Sequence, residues 1–462
     1  MSGIPSVDAA LGTREPVVPA EGEGEEVLAT SIRTLLVRGF SWTFVENLFG
    51  QGLRFASNLI LTHLLFPEYF GLMALVSVFI QGLEMISDVG IGMSVVQDKR
   101  GTDPTFLNTA WSIQVLRGML VYVAALGLTW PVTQFYGKPE LLYLLPVAAL
   151  GVVVNGANSI NFHLLSRRVA LGRIAVLNIG SQILTIAITV ILAWAMRSVW
   201  SLVIGSLMGY IIKCALSFVM CPGPPNRFAW DAEIARSLVH FGKWILVSSL
   251  LGFLVSRFDS LSLGAYMTTA VFGVYTIAAN LAQVGIGVLN NLASRVLFPI
   301  YSRLAEKGTE HLRQKTFRVR AVLILLSVPA YCFLAVFGRQ VIDFLYPANY
   351  AEAGWMLRIL SFGAVGTAVS CTIGPVLLAV GDSFRFMLVL ASKMAILVIS
   401  MALGNHFYGV TGAIIGFALS DYLMYPILAL SVRKYGVWLP ALDLAGFALG
   451  ALCTGLGYYF AP

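Results

Sequence analysis

Polar side chains recur at helical spacing inside long apolar stretches of this sequence. One set comprises Asn47, Gln51, Arg54 and Asn58. Their spacing of three to four residues places all of them on one face of a helix. Charged and amide groups are costly in lipid, so this face must meet other helices or a water-filled cavity. Arginine in such a place is suited to charge-assisted contact with phosphate, and we expect this face to line a substrate path.

Three further apolar stretches carry polar faces of the same kind. Their members are Gln81, Glu84, Asp88 and Gly92; Asn280, Gln283, Gly287 and Asn290; and Ser249, Gly252, Ser256 and Asp259, with Arg257 on a neighbouring face. Because none of these faces is compatible with lipid, we expect the helices that carry them to surround one polar seam.

Five cations fall within apolar stretches: Arg54, Arg117, Lys213, Arg257 and Lys393. They lie at several depths, which suits the passage of an anionic headgroup. The predicted substrate-binding residues are Arg54, Arg257, Arg117, Lys393, Asn47, Gln51, Asn58, Gln283 and Asn290. Two alternatives stay open: Lys213, close to a stretch end, extends to the cytoplasmic surface, and Arg257 forms a structural ion pair with Asp259.

Carboxylates inside apolar stretches are candidates for coupling to H⁺ or Na⁺. We predict this role for Asp421, Asp259, Asp88 and Glu84, and Glu46 is a further candidate. The alternative for Glu84 and Asp88 is pairing with Lys99 or Arg100. No catalytic residue, metal site or cofactor is predicted, and the five cysteines are interpreted as small core residues.

Composition identifies the elements that position these groups. The 462 residues are 58% hydrophobic and 11% charged, against about 25% charged in soluble domains. Apolar runs of about 20 residues recur along the chain and lack the alternation of barrel strands, which leaves membrane-spanning helices. The predicted spans are 40–62, 70–95, 108–133, 141–163, 174–195, 198–220, 241–263, 270–293, 318–338, 356–379, 385–404, 409–432 and 442–460.

The connections between these spans predict the orientation. Lys and Arg are concentrated after even-numbered spans, whereas Lys138, Arg197 and Arg339 represent them after odd-numbered spans. The amino terminus is therefore predicted to be cytoplasmic. The domains predicted are a disordered cytoplasmic tail over 1–34, an N-terminal six-helix lobe over 35–220, a cytoplasmic linker over 221–240, a C-terminal six-helix lobe over 241–433 and an additional span over 434–462.

The two lobes show a faint internal repeat. Arg54-Phe55-x-Ser57 matches Arg257-Phe258-x-Ser260, and Phe70-Gly71, Gln81 and Asp88 match Phe272-Gly273, Gln283 and Asn290. Six spans in each lobe require a parallel repeat about an axis along the membrane normal. The fold class predicted is an all-α polytopic membrane protein with two parallel lobes around a central cavity.

Several segments resemble the polysaccharide transporter family, whose superfamily includes multidrug and toxin extruders and lipid II flippases. The similar segments are Pro67-Glu68-x-Phe70-Gly71, Asp88 to Gly92 with Val95-Val96-Gln97, Phe298 to Leu304, Leu345-Tyr346-Pro347 and Trp355 to Leu360. They occur in family order, and the resemblance spans about residues 35 to 435.

The resemblance implies a flippase of the bacterial inner membrane. Its expected substrate is an undecaprenyl-pyrophosphate-linked oligosaccharide, moved by alternating access for exopolysaccharide, capsule or lipopolysaccharide O-antigen synthesis. Membrane lipid and the polysaccharide polymerase and export machinery are the expected partners, and no nucleic acid is involved. The alternatives are a cation-coupled multidrug extruder of the same fold and, from another class, an integral-membrane polysaccharide polymerase or ligase. Short outward connections disfavour the polymerase or ligase.

Overall fold

The computed structural model describes residues 42, 45–87, 90–168, 170–293, 297, 301 and 309–460. Within these residues the chain is helical with short connections and contains no β-strand. The helices are α1 (45–64), α2 (Pro67–Ile86), α3 (Ile91–Gln97), α4 (Pro104–Tyr136), α5 (Leu141–Gly156), α6 (Asn161–Arg167), α7 (Leu171–Met196), α8 (Val199–Met220), α9 (Ala232–Tyr266), α10 (Thr269–Leu292), α11 (Thr309–Leu345), α12 (Ala353–Cys371), α13 (Gly374–Ala379), α14 (Ser383–Arg433) and α15 (Pro440–Phe460).

The helices confirm the predicted all-α membrane fold. Across the described ranges, eight helices are long and apolar enough to cross a bilayer, and α5 with α6 forms a bent pair that would make a ninth. Within the described residues, each predicted span falls on one of the helices α1 to α15, on a helix pair or on one arm of α14. The chain is therefore a multi-pass membrane protein. The predicted tail over 1–34 lies outside the described residues.

Three predicted spans are broken. The span 70–95 divides into α2 and α3 at Gly90, whose φ is 65°. The span 141–163 bends by 58° between α5 and α6, and the span 356–379 divides before Gly374, where Pro375 begins α13. Non-helical backbone at membrane depth is tolerated where protein or water satisfies its polar groups, which places these breaks at interior surfaces.

Helix α14 contains two predicted spans. Its 51 residues would extend about 77 Å if straight, more than twice the hydrocarbon thickness of a bilayer. The chain kinks at Tyr408 and Gly409, and Gly409 has φ 59° and ψ −144°. That conformation is restricted to glycine, so Gly409 is the residue that allows the two arms to follow each other directly.

The predicted linker is shorter than expected, because α9 begins at Ala232. The side chain of Asp231 accepts hydrogen bonds from the backbone N–H groups of Glu233 and Ile234 and so starts the helix early. The preceding segment is attached to the first half of the chain. For example, the backbone N–H of Ala229 donates to Ser112 Oγ at 3.0 Å, and the Asn226 amide donates to Ser159 Oγ at 3.0 Å.

Helices α2 and α10 cross at two glycines. A Cβ placed on Gly71 would lie 2.0 Å from the carbonyl oxygen of Thr269, and one on Gly273 would lie 1.8 Å from that of Pro67. The contact is reciprocal, since each glycine faces the residue four positions before the other. Only hydrogen fits between these backbones.

Other contacts join the two halves of the chain at the same end of the molecule. Tyr350 donates to the carbonyl oxygen of Leu65 at 3.0 Å, and Lys138 Nζ donates to that of Met267 at 3.1 Å. Tyr136 donates to the carbonyl oxygen of Leu261 at 2.9 Å. We call the region where these residues and the glycine crossing meet the closed end.

The last helix is attached by a buried ion pair. The guanidinium of Arg320 in α11 binds Asp443 in α15, and both side chains are at most 1% exposed. Tyr425 donates to the second carboxylate oxygen of Asp443 at 2.7 Å, and Arg320 Nε donates to Thr372 Oγ1 at 3.1 Å. A buried pair needs such additional hydrogen bonds, and they fix α15 against α11, α12 and α14.

We predict that Gly71→Ala destabilises the protein. The added methyl group meets backbone atoms, which cannot rotate away, and overpacking of this kind costs about 1–3 kcal/mol. The measurement is the Tm of the detergent-solubilised protein. Gly52→Ala is the matched control, because a Cβ on Gly52 meets no atom within 4 Å. Equal Tm values for the two variants would contradict the close backbone contact at this crossing.

Candidate functional site

A central cavity of about 860 Å³ lies between α1, α7, α8 and α10. Its polar lining consists of Glu46, Asn47, Gln51, Arg54, Ser57, Asn58, Asn178, Ser181, Gln182, Thr185, Ser206, Tyr210, Lys213, Asn280 and Gln283. The cavity approaches the closed end, since Leu61 and Tyr346 of its lining each precede a closed-end residue, Leu65 and Tyr350, by four residues. Asn280 and Gln283 follow Gly273 by seven and ten residues, which is about 10 and 15 Å along α10.

The predicted polar face of α1 lines this cavity along its length. Asn47, Gln51, Arg54 and Asn58 all contribute to the lining, together with Gln283 from α10. Arg54 Nε donates to Gln51 Oε1 at 3.3 Å, and the arginine side chain is exposed to the cavity. Its remaining N–H groups are therefore directed at space that a ligand can fill.

Helix α7 supplies a second polar face. Asn178 donates to Glu46 Oε1 at 2.8 Å, and Gln182 donates to the carbonyl oxygen of Gly50 at 2.8 Å. Glu46 was a further candidate for ion coupling, whereas Asn178 and Gln182 were not among the predicted site residues. Asn178, Ser181, Gln182 and Thr185 follow the three-to-four spacing of a helix face, so the same pattern that identified α1 could have found them.

The charged residues of the central cavity are Glu46, Arg54 and Lys213. Lys213 lies on α8 with its ammonium 5.8 Å from the centroid of the Phe162 ring. The side chain is largely buried and lines the cavity. The structure thus places Lys213 in the cavity lining, whereas extension to the cytoplasmic surface was the alternative left open by the sequence.

Two predicted site residues on α9 point away from this cavity. Arg257 Nε donates to Gln81 Oε1 of α2 at 2.8 Å. Asp259 is buried and accepts from Tyr275 at 2.7 Å and from Ser260 Oγ at 3.3 Å. Neither residue belongs to the lining of the central cavity. Their hydrogen bonds join α9 to α2 and α10, and among the described ion pairs within 4.0 Å none joins Arg257 to Asp259.

Lys393 and Asp421, predicted for different roles, form one ion pair. Lys393 Nζ lies 2.7 Å from Asp421 Oδ1, and the two side chains are 24% and 9% exposed. Thr367 of α12 donates to Asp421 Oδ2 at 2.6 Å. The pair connects the two arms of α14 and lies outside the central lining.

Glu84 and Arg117 line a separate side pocket of about 330 Å³. The pocket adjoins the breaks between α2 and α3 and between α5 and α6. Asn155 donates to Glu84 Oε1 at 3.1 Å, while Arg117 donates to Ser87 Oγ at 3.0 Å and to the carbonyl oxygen of Glu84 at 2.7 Å. Asn290 is exposed on α10 outside both linings, and Asp88 lies outside the described residues.

The central cavity combines two kinds of binding chemistry. Asn and Gln side chains from α1, α7 and α10 offer both donors and acceptors, which match the hydroxyl groups of a polyol. Arg54 and Lys213 add positive charge suited to phosphate oxygens. Tyr210, Phe55 and Tyr346 contribute aromatic surface to the same cavity. A ligand with an anionic group and a hydroxylated body fits these groups.

Residues 60–354 match a family model described as polysaccharide biosynthesis protein. The lipopolysaccharide biosynthesis protein WzxC of Escherichia coli (strain K12) is 25% identical over 451 residues, covering 92% of this chain and 89% of that protein. The succinoglycan biosynthesis transport protein ExoT of Rhizobium meliloti (strain 1021) is 23% identical over 351 residues, covering 75% of this chain and 70% of that protein.

Two solved structures share the fold. The lipid II flippase MurJ in an inward closed conformation has a TM-score of 0.67 at 11% identity and covers 91% of this chain and 98% of its own. An inward-facing multidrug resistance transporter of the MATE family has a TM-score of 0.66 at 15% identity, with 89% and 96% covered. At these identities the likeness extends to the fold alone.

The Lys393–Asp421 pair generates a prediction about stability. Asp421→Asn leaves the ammonium without a countercharge and is expected to cost on the order of 3 kcal/mol, whereas the double variant Lys393→Met/Asp421→Leu recovers most of it. The measurement is the Tm of each purified variant. Glu233→Gln, which removes the carboxylate of the exposed Arg100–Glu233 pair, is the control and should leave the Tm unchanged. If the double variant were less stable than Asp421→Asn, the interpretation of this ion pair as purely structural would be wrong.

Proposed function

Since the chain belongs to the polysaccharide biosynthesis protein family, we propose that it moves an undecaprenyl-pyrophosphate-linked oligosaccharide across the bacterial inner membrane. The product serves exopolysaccharide, capsule or O-antigen synthesis. The names of the relatives support this class of substrate, because they refer to lipopolysaccharide biosynthesis and succinoglycan transport. The protein is a transporter that makes and breaks no bond.

The observation that carries the proposal is the composition of the central cavity. Amide side chains surround it, and its two cations, Arg54 and Lys213, lie in the same lining. An oligosaccharide needs many neutral hydrogen-bonding partners, while its pyrophosphate needs cations, and the cavity supplies both. The polyprenyl tail stays in lipid, where burial of its CH₂ groups is most favourable.

The proposed cycle is alternating access between an N-terminal lobe over 35–220 and a C-terminal lobe over 241–433. With a cytoplasmic amino terminus, the closed end faces the periplasm and the central cavity is reached from the cytoplasmic side. The part of residues 221–240 that precedes α9 connects the lobes, and 434–462 form an additional span on the second lobe. Polysaccharide polymerase and export proteins are the proposed partners on the periplasmic side.

The roles proposed for the site residues follow their positions. Arg54 binds the pyrophosphate, and Asn47, Gln51, Asn58 and Gln283 bind sugar hydroxyls. Arg117 and Glu84 belong to the side pocket, with Glu84 proposed for coupling to an ion. Arg257, Asp259, Lys393, Asp421 and Asn290 are proposed to stabilise helix contacts or to act when the lobes rearrange.

We predict that Arg54→Ala, correctly inserted, fails to restore polysaccharide export in a strain that lacks the gene. Loss of a charge-assisted contact to phosphate is expected to reduce export about tenfold or more, with Arg54→Lys intermediate. Lipid-linked repeat units should accumulate on the cytoplasmic leaflet. The measurement combines exported polysaccharide with the leaflet distribution of the glycolipid.

Arg173→Ala is the control, since Arg173 is an exposed arginine on α7 outside the cavity lining. It should restore export fully. Wild-type export from Arg54→Ala would refute the headgroup site. An unchanged glycolipid distribution in the deletion strain, together with altered drug tolerance, would refute the proposed substrate and favour a multidrug extruder.

A further inference from the structure

Lys213 connects two cavities. In the described part of the chain it is the one residue that lines both the central cavity and the side pocket. Glu46 lies on the central side, and Glu84 lies on the side of the pocket. Both carboxylates are electrostatic neighbours of the Lys213 ammonium. A headgroup bound in the central cavity would therefore compete with Glu84 for this cation.

The ammonium of Lys213 is held loosely. Among the described residues it makes no ion pair within 4.0 Å, and its recorded contact is the Phe162 ring at 5.8 Å. Lys393, by contrast, binds Asp421 directly at 2.7 Å. A lysine has a flexible four-carbon stem, so an ammonium without a fixed acceptor can move between neighbouring anions at low cost.

The other groups around Glu84 are fixed. The Asn158 amide donates to Asn155 Oδ1 at 2.8 Å, and Asn155 in turn donates to Glu84 Oε1 at 3.1 Å. Arg117 donates to Ser87 Oγ and to the backbone carbonyl of Glu84. Of the cations near Glu84 in the described structure, Arg117 is held by these hydrogen bonds, whereas Lys213 has no comparable hydrogen bond.

The titratable and charged groups that face Glu84 come from three helices. They are Arg117 on α4, His163 on α6, and Tyr210 and Lys213 on α8. The backbone around them is irregular, because two broken helices meet at this pocket. Broken helices at membrane depth line water-accessible sites in many transporters, which gives a proton a route to the carboxylate.

We infer that the side pocket is a proton-binding site, with Glu84 as the acceptor, and that Lys213 links its occupancy to the headgroup in the central cavity. The inference rests on the proposed function. A pyrophosphate in the central cavity draws the Lys213 ammonium away from Glu84. The Glu84 carboxylate then takes up a proton supplied by the buffer of the bulk solution and becomes a neutral acid, so the proton replaces the positive charge that the pocket has lost.

Linkage makes this coupling reciprocal. If headgroup binding promotes proton binding, then protons strengthen headgroup binding by the same factor. For a single linked proton, the apparent Kd of an anionic headgroup rises with pH by at most about tenfold per pH unit. Glu84→Gln imitates the protonated acid and removes the contribution of Glu84 to this pH dependence. Lys213→Met removes the cation that links the two cavities.

The test is calorimetric titration of the purified full-length protein with inorganic pyrophosphate, in buffers of different ionisation enthalpy. This measures the number of protons taken up with each bound pyrophosphate. Protonation of pyrophosphate itself is common to all variants and cancels in the comparison. We expect the wild type to take up more protons than Glu84→Gln, by up to about one. Lys213→Met should bind more weakly and lose the excess, and Lys213→Arg should restore part of it.

His163→Gln removes the imidazole that lines the same pocket as Glu84, and it should keep the excess proton uptake. Loss of the excess in His163→Gln together with its retention in Glu84→Gln would refute Glu84 as the acceptor. Pyrophosphate binding with equal proton uptake in the wild type, Glu84→Gln and Lys213→Met would overturn the linkage and leave the proposed function standing. Absence of pyrophosphate binding by the wild type would contradict the headgroup site and the linkage together.

Discussion

The crossing of α2 and α10 at Gly71 and Gly273 is the contact on which the arrangement of the helices depends. Two helices whose backbones touch cannot shift along each other without separating, so their crossing fixes where the first and second halves of the chain meet. The hydrogen bonds from Tyr350 and Lys138 secure the same end. Of the two crossing helices, α10 continues into the lining of the central cavity, to which it contributes Asn280 and Gln283.

Part of the closed end was predictable from the sequence. The repeat match paired Phe70-Gly71 with Phe272-Gly273, and the structure brings the two copies into mutual contact. Each glycine meets the same requirement, because only hydrogen fits between the two backbones at their crossing. The positions of the membrane spans were also predictable, because the thickness of the bilayer fixes the length of an apolar helix that crosses it. The breaks at Gly90 and near Ala157 were not predicted, although the sequence carries Ser87 and Asp88 before the first and the run Asn155-Gly-Ala-Asn-Ser159 at the second.

The candidate site was predictable where one helix face carried the whole signal. The face of α1 lines the cavity as its spacing indicated, whereas Arg257 and Lys393 have partners on other helices. A single sequence shows that an intramembrane charge needs a partner and cannot show which helix supplies it. Arg54 and Arg257 illustrate the limit, because Arg54 is exposed and bonds a residue of its own helix, whereas Arg257, at the matched position, bonds Gln81 on another helix. The ion pair of Arg320 and Asp443 went unpredicted for the same reason.

The two halves of the chain therefore place different charged side chains on the wall of the central cavity. Glu46, Arg54 and Lys213 come from α1 and α8, while α10 contributes the amides of Asn280 and Gln283. Beyond α8, the intramembrane charges of Lys393 and Arg320 are neutralised by carboxylates within their own helix group. A headgroup bound by charged groups on one side and by neutral amides on the other can break its weaker hydrogen bonds, those to the amides, first. Separation of the helices would then leave the anion with α1 and α8, so the pyrophosphate need not exchange its cations as access changes.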